Sequence, residues 1–338
     1  MRKGVPMKKF VFLSPGKGEI REQERPSPGR GKVLVKVKYC GICGTDMNIW
    51  RGTDHCVHGI VPGHEYCGTI IETGEAVQDY QVGDRVAVDP NIPCGICENC
   101  RRGRINLCED LKALGVDIDG GFAGYSIVPE KQLYRLPSYM TWEDATLMEP
   151  IACALNDINR VRIEIGDDVL ILGGGPMGLL MVQLAKLRGA GRVYLCEKME
   201  GRRNIGRELG ADVVVESLDE YARMSERRPE VVIECIGNPV TQEQAFDIVK
   251  AGGQVELFGD GDLTKKFSTA SQVFYQKELT AVGAALNPFT HDQAYRLLMS
   301  GRMKLQPMVS RTISLDELIP LLESGYQKDD IKVFVSFD

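Results

Sequence analysis

The residues best suited to chemistry lie in one stretch that opens with Cys40-Gly-Ile-Cys43 and closes with Gly63-His64-Glu65. A thiolate, an imidazole and a carboxylate together suit a borderline-soft ion such as Zn²⁺, which accepts sulfur, nitrogen and oxygen ligands at four positions. Taken singly, a cysteine or histidine is more often a buried packing residue than a ligand. Because the three donor types occur within 23 residues, from 43 to 65, we predict a metal site there.

A second group of cysteines has the spacing of a structural zinc site and consists of Cys94, Cys97, Cys100 and Cys108. Two-residue gaps let successive thiolates fold around one ion, and a fourth cysteine closes the tetrahedron without leaving an open position. We therefore predict that residues 94–108 form a structural zinc lobe. The nearby Arg101, Arg102 and Arg104 are interpreted as solvated loop charges, because the chain as a whole is acidic.

Composition limits the possible functions. The chain has 338 residues, enough for about two domains of ~150 residues, and a formal net charge of −6. An acidic chain is unsuited to a nucleic-acid surface, which needs a basic face. No apolar run approaches the roughly 20 residues of a membrane span, and the start lacks a signal core. Eleven cysteines, an odd number with four of them clustered, favour metal binding in a reducing compartment, so we expect a cytoplasmic protein without membrane or nucleic-acid partners.

Two patterns of secondary structure follow each other along the chain. Short β-type runs with glycine and proline between them fill the first part, at Lys8–Leu13, Val33–Tyr39, Gly68–Glu72 and Arg85–Asp89. They predict an all-β, barrel-like domain. From about residue 150, strands alternate with helices, which is typical of βαβ units and a parallel sheet.

The start of the second part carries a nucleotide-binding pattern. The apolar run Val169–Leu172 has the character of a strand buried on both faces, and it leads through Gly173, Gly175 and Gly178 into a helix that extends to about Leu187. This glycine spacing permits a tight turn, close approach to a pyrophosphate and close packing of helix on strand. We predict a dinucleotide site at this turn.

The next predicted strand, Arg192–Cys196, ends in Glu197. An acidic residue there accepts hydrogen bonds from the ribose hydroxyls of NAD and repels the 2′-phosphate of NADP. Arg202 and Arg203 leave a phosphate-binding alternative open, because a basic residue just past the acid can bind a phosphate; the other interpretation is that they are exposed charges on the first turns of a helix. Further strands, which complete a six-stranded sheet, are predicted at Asp212–Glu216, Glu230–Gly237, Gly253–Gly259 and Glu278–Ala285.

These features in this order resemble the zinc-dependent medium-chain dehydrogenase family, and within it the polyol (sorbitol) and threonine dehydrogenases. The matching elements are Cys43-Gly-Thr-Asp46, Gly63-His64-Glu65, the cysteine lobe and the glycine fingerprint. The resemblance covers nearly the whole chain. It implies an α/β fold class: a GroES-like β-barrel catalytic domain at 1–152 and 288–338, a doubly wound Rossmann domain at 153–287, and a catalytic zinc in the cleft between them.

The resemblance also assigns roles around the catalytic zinc. Cys43 and His64 match ligands, whereas Cys40 and Cys153 are interpreted as packing. Glu65 resembles a glutamate that either ligates the metal or lies just behind it. Glu149 matches the polyol-dehydrogenase glutamate that stands where simple alcohol dehydrogenases carry a cysteine. A carboxylate is a harder ligand than a thiolate and favours a water-bearing site.

Proton handling is implied in the same way. Asp46 matches the acid that fixes the tautomer of His64, and Thr45 matches the hydroxyl that relays the substrate proton. Many relatives have a histidine at the position of Asn48. An asparagine cannot titrate, so the proton exit route runs from Thr45 through a ribose hydroxyl or through another group.

The function implied is oxidation of a secondary alcohol in a polyol or sugar-derived molecule, with two zinc ions per chain and hydride transfer to NAD rather than NADP. L-threonine 3-dehydrogenase activity is the alternative, and a non-catalytic zinc- and NAD-binding protein is a distant one. Pro176, Met177 and Arg202 join the glycines and Glu197 as expected cofactor contacts. Trp50, Phe122 and residues after Pro288 are candidates for the substrate-facing wall, and the family implies a homodimer or homotetramer.

Overall fold

The computed structural model describes residues 6–259, 261 and 264–337. The first five residues, which entered the prediction that no signal core is present, lie outside that part. The chain forms two compact units: one includes the chain up to Pro150 and from His291 onward, and the other is Ile151–Thr290. These limits lie two and three residues from the predicted domain limits at 152 and 287.

The amino-terminal part of the first unit consists mainly of strands. In chain order it contains β1 (Pro6–Ser14), β2 (Lys17–Glu24), β3 (Lys32–Gly41), α1 (Gly44–Arg51), β4 (Glu65–Thr73), β5 (Arg85–Val88), β6 (Asn91–Ile92), α2 (Glu98–Arg101), β7 (Lys112–Ala113), β8 (Tyr125–Pro129), β9 (Leu133–Arg135) and α3 (Trp142–Thr146). Short 3₁₀ turns occur at Ile105–Leu107 and Glu130–Gln132.

Strands and helices alternate in the following part of the chain. The elements are α4 (Met148–Ile158), β10 (Asp168–Leu172), α5 (Pro176–Leu187), β11 (Arg192–Cys196), α6 (Glu200–Glu208), β12 (Val213–Val215), α7 (Leu218–Met224), β13 (Val231–Glu234), α8 (Pro239–Ile248), β14 (Gln254–Leu257), α9 (Ser271–Lys277) and β15 (Thr280–Val282). The chain ends with α10 (Thr290–Met299), β16 (Val309–Ser314), α11 (Leu318–Ser324) and β17 (Lys332–Ser336), with 3₁₀ turns at Gln306–Met308 and Leu315–Glu317.

The second unit contains a six-stranded sheet in the order β12-β11-β10-β13-β14-β15, and every pair in it is parallel. Its central strand β10 is buried along its whole length, as its continuous apolar run requires. The predicted doubly wound α/β fold is confirmed. Some strands are shorter than predicted: β15 covers only Thr280–Val282, and it starts after Glu278 because that residue adopts a left-handed conformation (φ 50°) where α9 ends.

The sheet of the first unit is organised around β3. This strand pairs antiparallel with β4, with β8 through its first half, and with β17 through its last residues. The valines Val33, Val35 and Val37 are fully buried, which gives the alternating strand its core face. The carboxyl-terminal strand β17 thus lies beside the segment that leads into Cys43. Among the described residues, no helix has both the length and the apolar character needed to cross a bilayer.

Candidate active site

Helix α1 holds the first cluster of predicted site residues. Cys43 is its N-cap, and the Asp46 carboxylate accepts a hydrogen bond of 2.8 Å from the backbone N–H of Cys43. This local bond satisfies one of the N–H groups that a helix start leaves without an intrahelical partner. The Thr45 hydroxyl lies 3.6 Å from the Cys43 sulfur. The motif therefore places a thiol, a hydroxyl and a buried carboxylate at one helix end.

A glycine turn presents the second cluster. Gly63 has φ 91°, and a Cβ there would lie 2.7 Å from the Cys40 sulfur, so another residue would be both strained and crowded. His64 follows at 9% exposure, and Glu65 begins β4 at 1% exposure. Donor atoms of Cys43, His64 and Glu65 all lie within 4.8 Å of one another. The fold thus brings the three predicted residues together.

Lys332 is a member of this site that the sequence analysis missed. It is 2% exposed, its Nζ lies 2.6 Å from Oε1 of Glu65, and it also contacts Oε2. The pair spans β3 at Gly41, where a Cβ would collide with the Glu65 carboxylate. The sequence does carry a signal for this residue: Lys332 is a single lysine at the start of an otherwise apolar strand, Lys332-Val-Phe-Val. Buried lysines are rare unless paired, so the residue merited a search for its partner.

Glu149 lies at the start of α4 and is 7% exposed. Its charge raises the pKa of both His64 and Lys332, which means that its carboxylate faces the same cluster. It is not a member of the group whose donor atoms lie within 4.8 Å of one another. The Glu65 carboxylate therefore lies close to both the Cys43 thiol and the His64 imidazole, whereas the Glu149 carboxylate lies further from this group.

The electrostatics of the cluster suit a bound cation. Burial lowers the pKa of His64, but the Asp46 carboxylate and the hydrogen bond with Cys43 raise it more, so the pKa ends well above its usual range. Burial raises the pKa of Asp46, although the charge of His64 opposes this effect. Nδ1 of His64 and Oδ1 of Asp46 are 3.9 Å apart, and neither has a hydrogen-bond partner among the described residues. This acidic cluster thus stabilises a positive charge near His64, and its soft and hard donors fit zinc.

The four lobe cysteines also lie together, with sulfur atoms within 4.8 Å of one another. Backbone N–H groups point at the sulfurs: Cys94 Sγ accepts from Cys97 at 3.4 Å, and Cys108 Sγ accepts from Cys94 at 3.2 Å. Hydrogen bonds from backbone N–H groups lower the pKa of Cys97 to about 6, whereas desolvation raises that of Cys100 to about 12. A divalent cation would stabilise all four thiolates together, so this donor set fits a closed zinc site.

In the second unit, the glycine turn has the geometry that a dinucleotide site needs. Gly173 has φ 100°, and a Cβ at Gly178 would collide with the Gly173 carbonyl, so both positions require glycine. A Cβ at Gly175 would meet open space instead. Helix α5 begins at Pro176, followed by Met177, and its amino end carries free N–H groups and a partial positive charge. This turn can hold a pyrophosphate.

Glu197 lies directly beside that turn. Its Oε2 accepts a 2.6 Å hydrogen bond from the backbone N–H of Gly174, and its Oε1 accepts one of 2.8 Å from Met199. The Arg203 guanidinium donates to the carbonyls of Glu197 and Lys198, so it braces this loop. Arg202 is half-buried on the first turn of α6. The carboxylate is therefore held where the strand end meets the glycine turn.

Two expectations about the substrate wall were wrong. Phe122 is fully buried and packs against the Gly63 turn, and Trp50 is 7% exposed with its ring centroid 6.3 Å from that of Phe10. Both belong to the core of the first unit because their apolar surface is removed from water there. Asn48 is half-buried on α1, and its carbonyl accepts a hydrogen bond from the N–H of Thr53 at 2.9 Å.

Comparison with known proteins agrees with this architecture. The family model described as the alcohol dehydrogenase GroES-like domain matches residues 29–138, and that of the zinc-binding dehydrogenases matches residues 176–300. L-threonine 3-dehydrogenase from Pyrococcus horikoshii is 36% identical, covering 94% of this chain and 95% of the relative. D-arabinitol dehydrogenase 1 from Uromyces fabae is 30% identical, covering 97% of both. A zinc-binding dehydrogenase from Sinorhizobium meliloti 1021, solved with NADP bound, has a TM-score of 0.93 at 36% identity and covers 98% of this chain and 99% of its own.

The chain therefore belongs to the zinc-dependent medium-chain dehydrogenase family. Within that family it is an enzyme of the polyol and threonine dehydrogenase type. The predicted family, fold class and reaction class are confirmed.

Proposed function

We propose that this enzyme oxidises a secondary alcohol of a polyol or sugar-derived substrate to the ketone, with NAD as hydride acceptor. The observation that carries the proposal is the buried Glu149 carboxylate facing His64. A carboxylate where simple alcohol dehydrogenases have a thiolate makes the site harder and better hydrated, which suits a substrate with a second hydroxyl. The D-arabinitol dehydrogenase relative supports the polyol assignment.

In this proposal Cys43, His64 and Glu149 would hold the catalytic zinc, and Glu65 would either be a further ligand or lie just behind the metal. Glu65 already pairs with Lys332 through both carboxylate oxygens, so its charge is largely neutralised. A bound zinc would lower the pKa of the substrate hydroxyl, and a bound nicotinamide would accept the hydride. Thr45 would relay the substrate proton: its oxygen would accept that proton while its own hydroxyl proton passes to a ribose hydroxyl and on to water, or to another group. Asp46 would orient His64. The cysteine lobe holds the second zinc.

We assign cofactor binding to the glycine turn and Glu197. Gly173, Gly175, Pro176, Met177 and Gly178 bind the pyrophosphate, and Glu197 binds the ribose with Arg202 nearby. The Glu197→Ala variant should lose part of its preference for NAD over NADP, about 1–3 kcal/mol in kcat/KM. Glu200→Ala, an exposed acid at the start of α6, is the matched control. A wild-type enzyme that uses NADP as well as NAD would contradict the assignment, and the NADP-bound relative makes this comparison necessary.

A substrate panel tests the reaction itself. Comparing kcat/KM for sorbitol-type polyols, hexonates, L-threonine and ethanol should place polyols or hexonates first and ethanol last. A site that hydrogen-bonds substrate hydroxyls discriminates strongly against analogues without them. L-threonine as the best substrate would change the substrate class, in line with the Pyrococcus relative. Ethanol as the best substrate would contradict the assigned role of Glu149. NAD binding without retained zinc or turnover would favour a non-catalytic protein.

The remaining proposals concern organisation. Residues 1–152 and 288–338 form the catalytic domain and 153–287 the nucleotide-binding domain.

The enzyme is a cytoplasmic homodimer or homotetramer. Its eleven cysteines are all free of disulfides, which suits a reducing compartment. Light scattering on the zinc-loaded enzyme tests the assembly, since a monomeric mass would contradict it.

A further inference from the structure

Two acidic side chains that play no part in the proposed reaction meet inside the second unit. Asp157, near the end of α4, is 1% exposed, and Glu256, in β14, is 0% exposed. Neighbouring residues in a strand point to opposite faces of the sheet. Val255 packs in the apolar cluster with Phe246 on one face, so Glu256 projects to the other face and meets Asp157.

The pair cannot be two ordinary carboxylates. The groups lie within hydrogen-bonding reach of each other, but ionised carboxylates only accept hydrogen bonds. Oδ1 of Asp157 and both carboxylate oxygens of Glu256 have no donor among the described residues. Buried charges without a partner are strongly unfavourable. One proton between the groups removes one charge and supplies the missing donor.

Among the described residues, the positive charge beside the pair is that of Arg160. Arg160 and Cys235 face the pair, and Glu234 in turn faces Cys235. Arg160 is exposed, so water screens its charge. Burial raises the pKa of Cys235, which keeps this thiol neutral. The Glu234 carboxylate is already satisfied by the N–H groups of Ile236 and Gly237 and by the hydroxyl of Thr241.

We propose that Asp157 and Glu256 share one proton at neutral pH and form a pH-sensitive latch between the end of α4 and β14. The neighbouring Asn156 ties the same helix end to the segment after β15, donating to the carbonyls of Ala285 and Leu286 at 3.2 and 3.0 Å. When the shared proton is lost, two buried carboxylates repel each other across the helix and the sheet. The latch then opens at alkaline pH.

The direction of the pH dependence follows from the proton balance. Burial, followed by the hydrogen bond to Glu256, raises the pKa of Asp157 to about 10, whereas an unfolded aspartate has a value of about 3.9. The native state therefore holds a proton that the unfolded state has lost. Stability from this source is greatest below about pH 4 and falls continuously until about pH 10.

Hydrogen–deuterium exchange of the zinc-loaded enzyme tests the latch. The isosteric variants Asp157→Asn and Glu256→Gln remove the shared proton, and Asp247→Asn, an exposed acid in the same unit, is the matched control. The measured quantity is the protection factor of the backbone amides of residues 254–257, corrected for intrinsic exchange. Between pH 7 and 9 it should fall in the wild type and in Asp247→Asn by up to about tenfold per pH unit more than it does in Asp157→Asn.

Infrared spectroscopy gives a readout that a purely structural role would not change. At pH 8 the wild type and Asp247→Asn should show a protonated carboxyl band that Asp157→Asn lacks. If both pair variants fail to fold, loss of the wild-type band on titration toward pH 11 still supports the proposal. Equal pH profiles in wild type and Asp157→Asn, absence of the band at pH 8, or stabilisation of the wild type alone by added Ca²⁺ or Mg²⁺ would overturn it.

Discussion

The two cysteine-containing centres of this enzyme are built in opposite ways. The four cysteines of the lobe all come from residues 94–108, and their sulfurs accept hydrogen bonds from backbone N–H groups of the same loop. The centre at Cys43 combines side chains from α1, the Gly63 turn and β17, as far along the chain as Lys332. One site depends on local spacing, and the other depends on the folded barrel.

This difference in construction corresponds to a difference in chemistry. Four thiolates around one ion leave no open position, so the lobe contributes stability. The Cys43 centre mixes sulfur, nitrogen and oxygen donors with a hydroxyl 3.6 Å from the thiol, so it has the parts for proton transfer. We expect substitutions in the lobe to affect folding and substitutions at Cys43 to affect turnover.

The largest effect is expected for Cys43→Ser. Loss of the soft ligand should remove one of two zinc ions and lower kcat/KM by at least about 10³-fold, because metal polarisation supplies several kcal/mol. Metal analysis and kinetics measure both quantities, with Cys40→Ser as the control. The unfolding midpoint should change little. A fully active wild type with a single zinc per chain would contradict the two-centre model.

The next effect concerns Lys332→Met. Removing the lysine leaves Glu65 as an unpaired buried charge, which should cost about 3–5 kcal/mol of unfolding free energy. Denaturant titration measures the loss. The double variant Lys332→Met with Glu65→Gln should recover most of it, since no charge remains unpaired. If the single variant is as stable as the wild type, the pair has no structural role.

Cys97→Ser should show the opposite profile to Cys43→Ser. It opens the closed lobe and should cost about 2–4 kcal/mol, comparable to the loss of a covalent cross-link in a short loop. The zinc ratio should fall from two to one. The kcat/KM of the remaining folded enzyme should stay within about threefold of the wild type. A turnover loss as large as that of Cys43→Ser would mean that the two centres are not separable.

The smallest effect is expected for Asp46→Asn. The amide no longer supplies a negative charge beside His64, and groups that orient a metal-bound histidine typically contribute 10–100-fold in activity or metal affinity. Isothermal titration with zinc and steady-state kinetics give the two values. Asp54→Asn, an exposed acid of the same segment, is the control. Unchanged zinc affinity would remove Asp46 from the site.

Much of this organisation could be predicted because it is encoded locally. The cysteine spacing of the lobe, the glycine fingerprint and the apolar run Val169–Leu172 each specify their structure within about 20 residues. The left-handed turn at Gly173 agrees with the tight turn predicted from the glycine spacing, since glycine adopts this conformation without strain. Strand limits were less accurate, as at β15, because the ends depend on neighbouring helices.

Tertiary structure decided what depends on distant neighbours. Pairing of β17 with β3 brings Lys332 to Glu65, 267 residues away in sequence, and no local pattern contains that contact. Trp50 and Phe122 looked available to substrate, but packing buried them in the core. The sequence by itself determined the ligand types, the glycine turns and the alternation of strand and helix. Only the folded chain decided which charges are buried together, because desolvation and pairing arise from elements that the chain brings into contact.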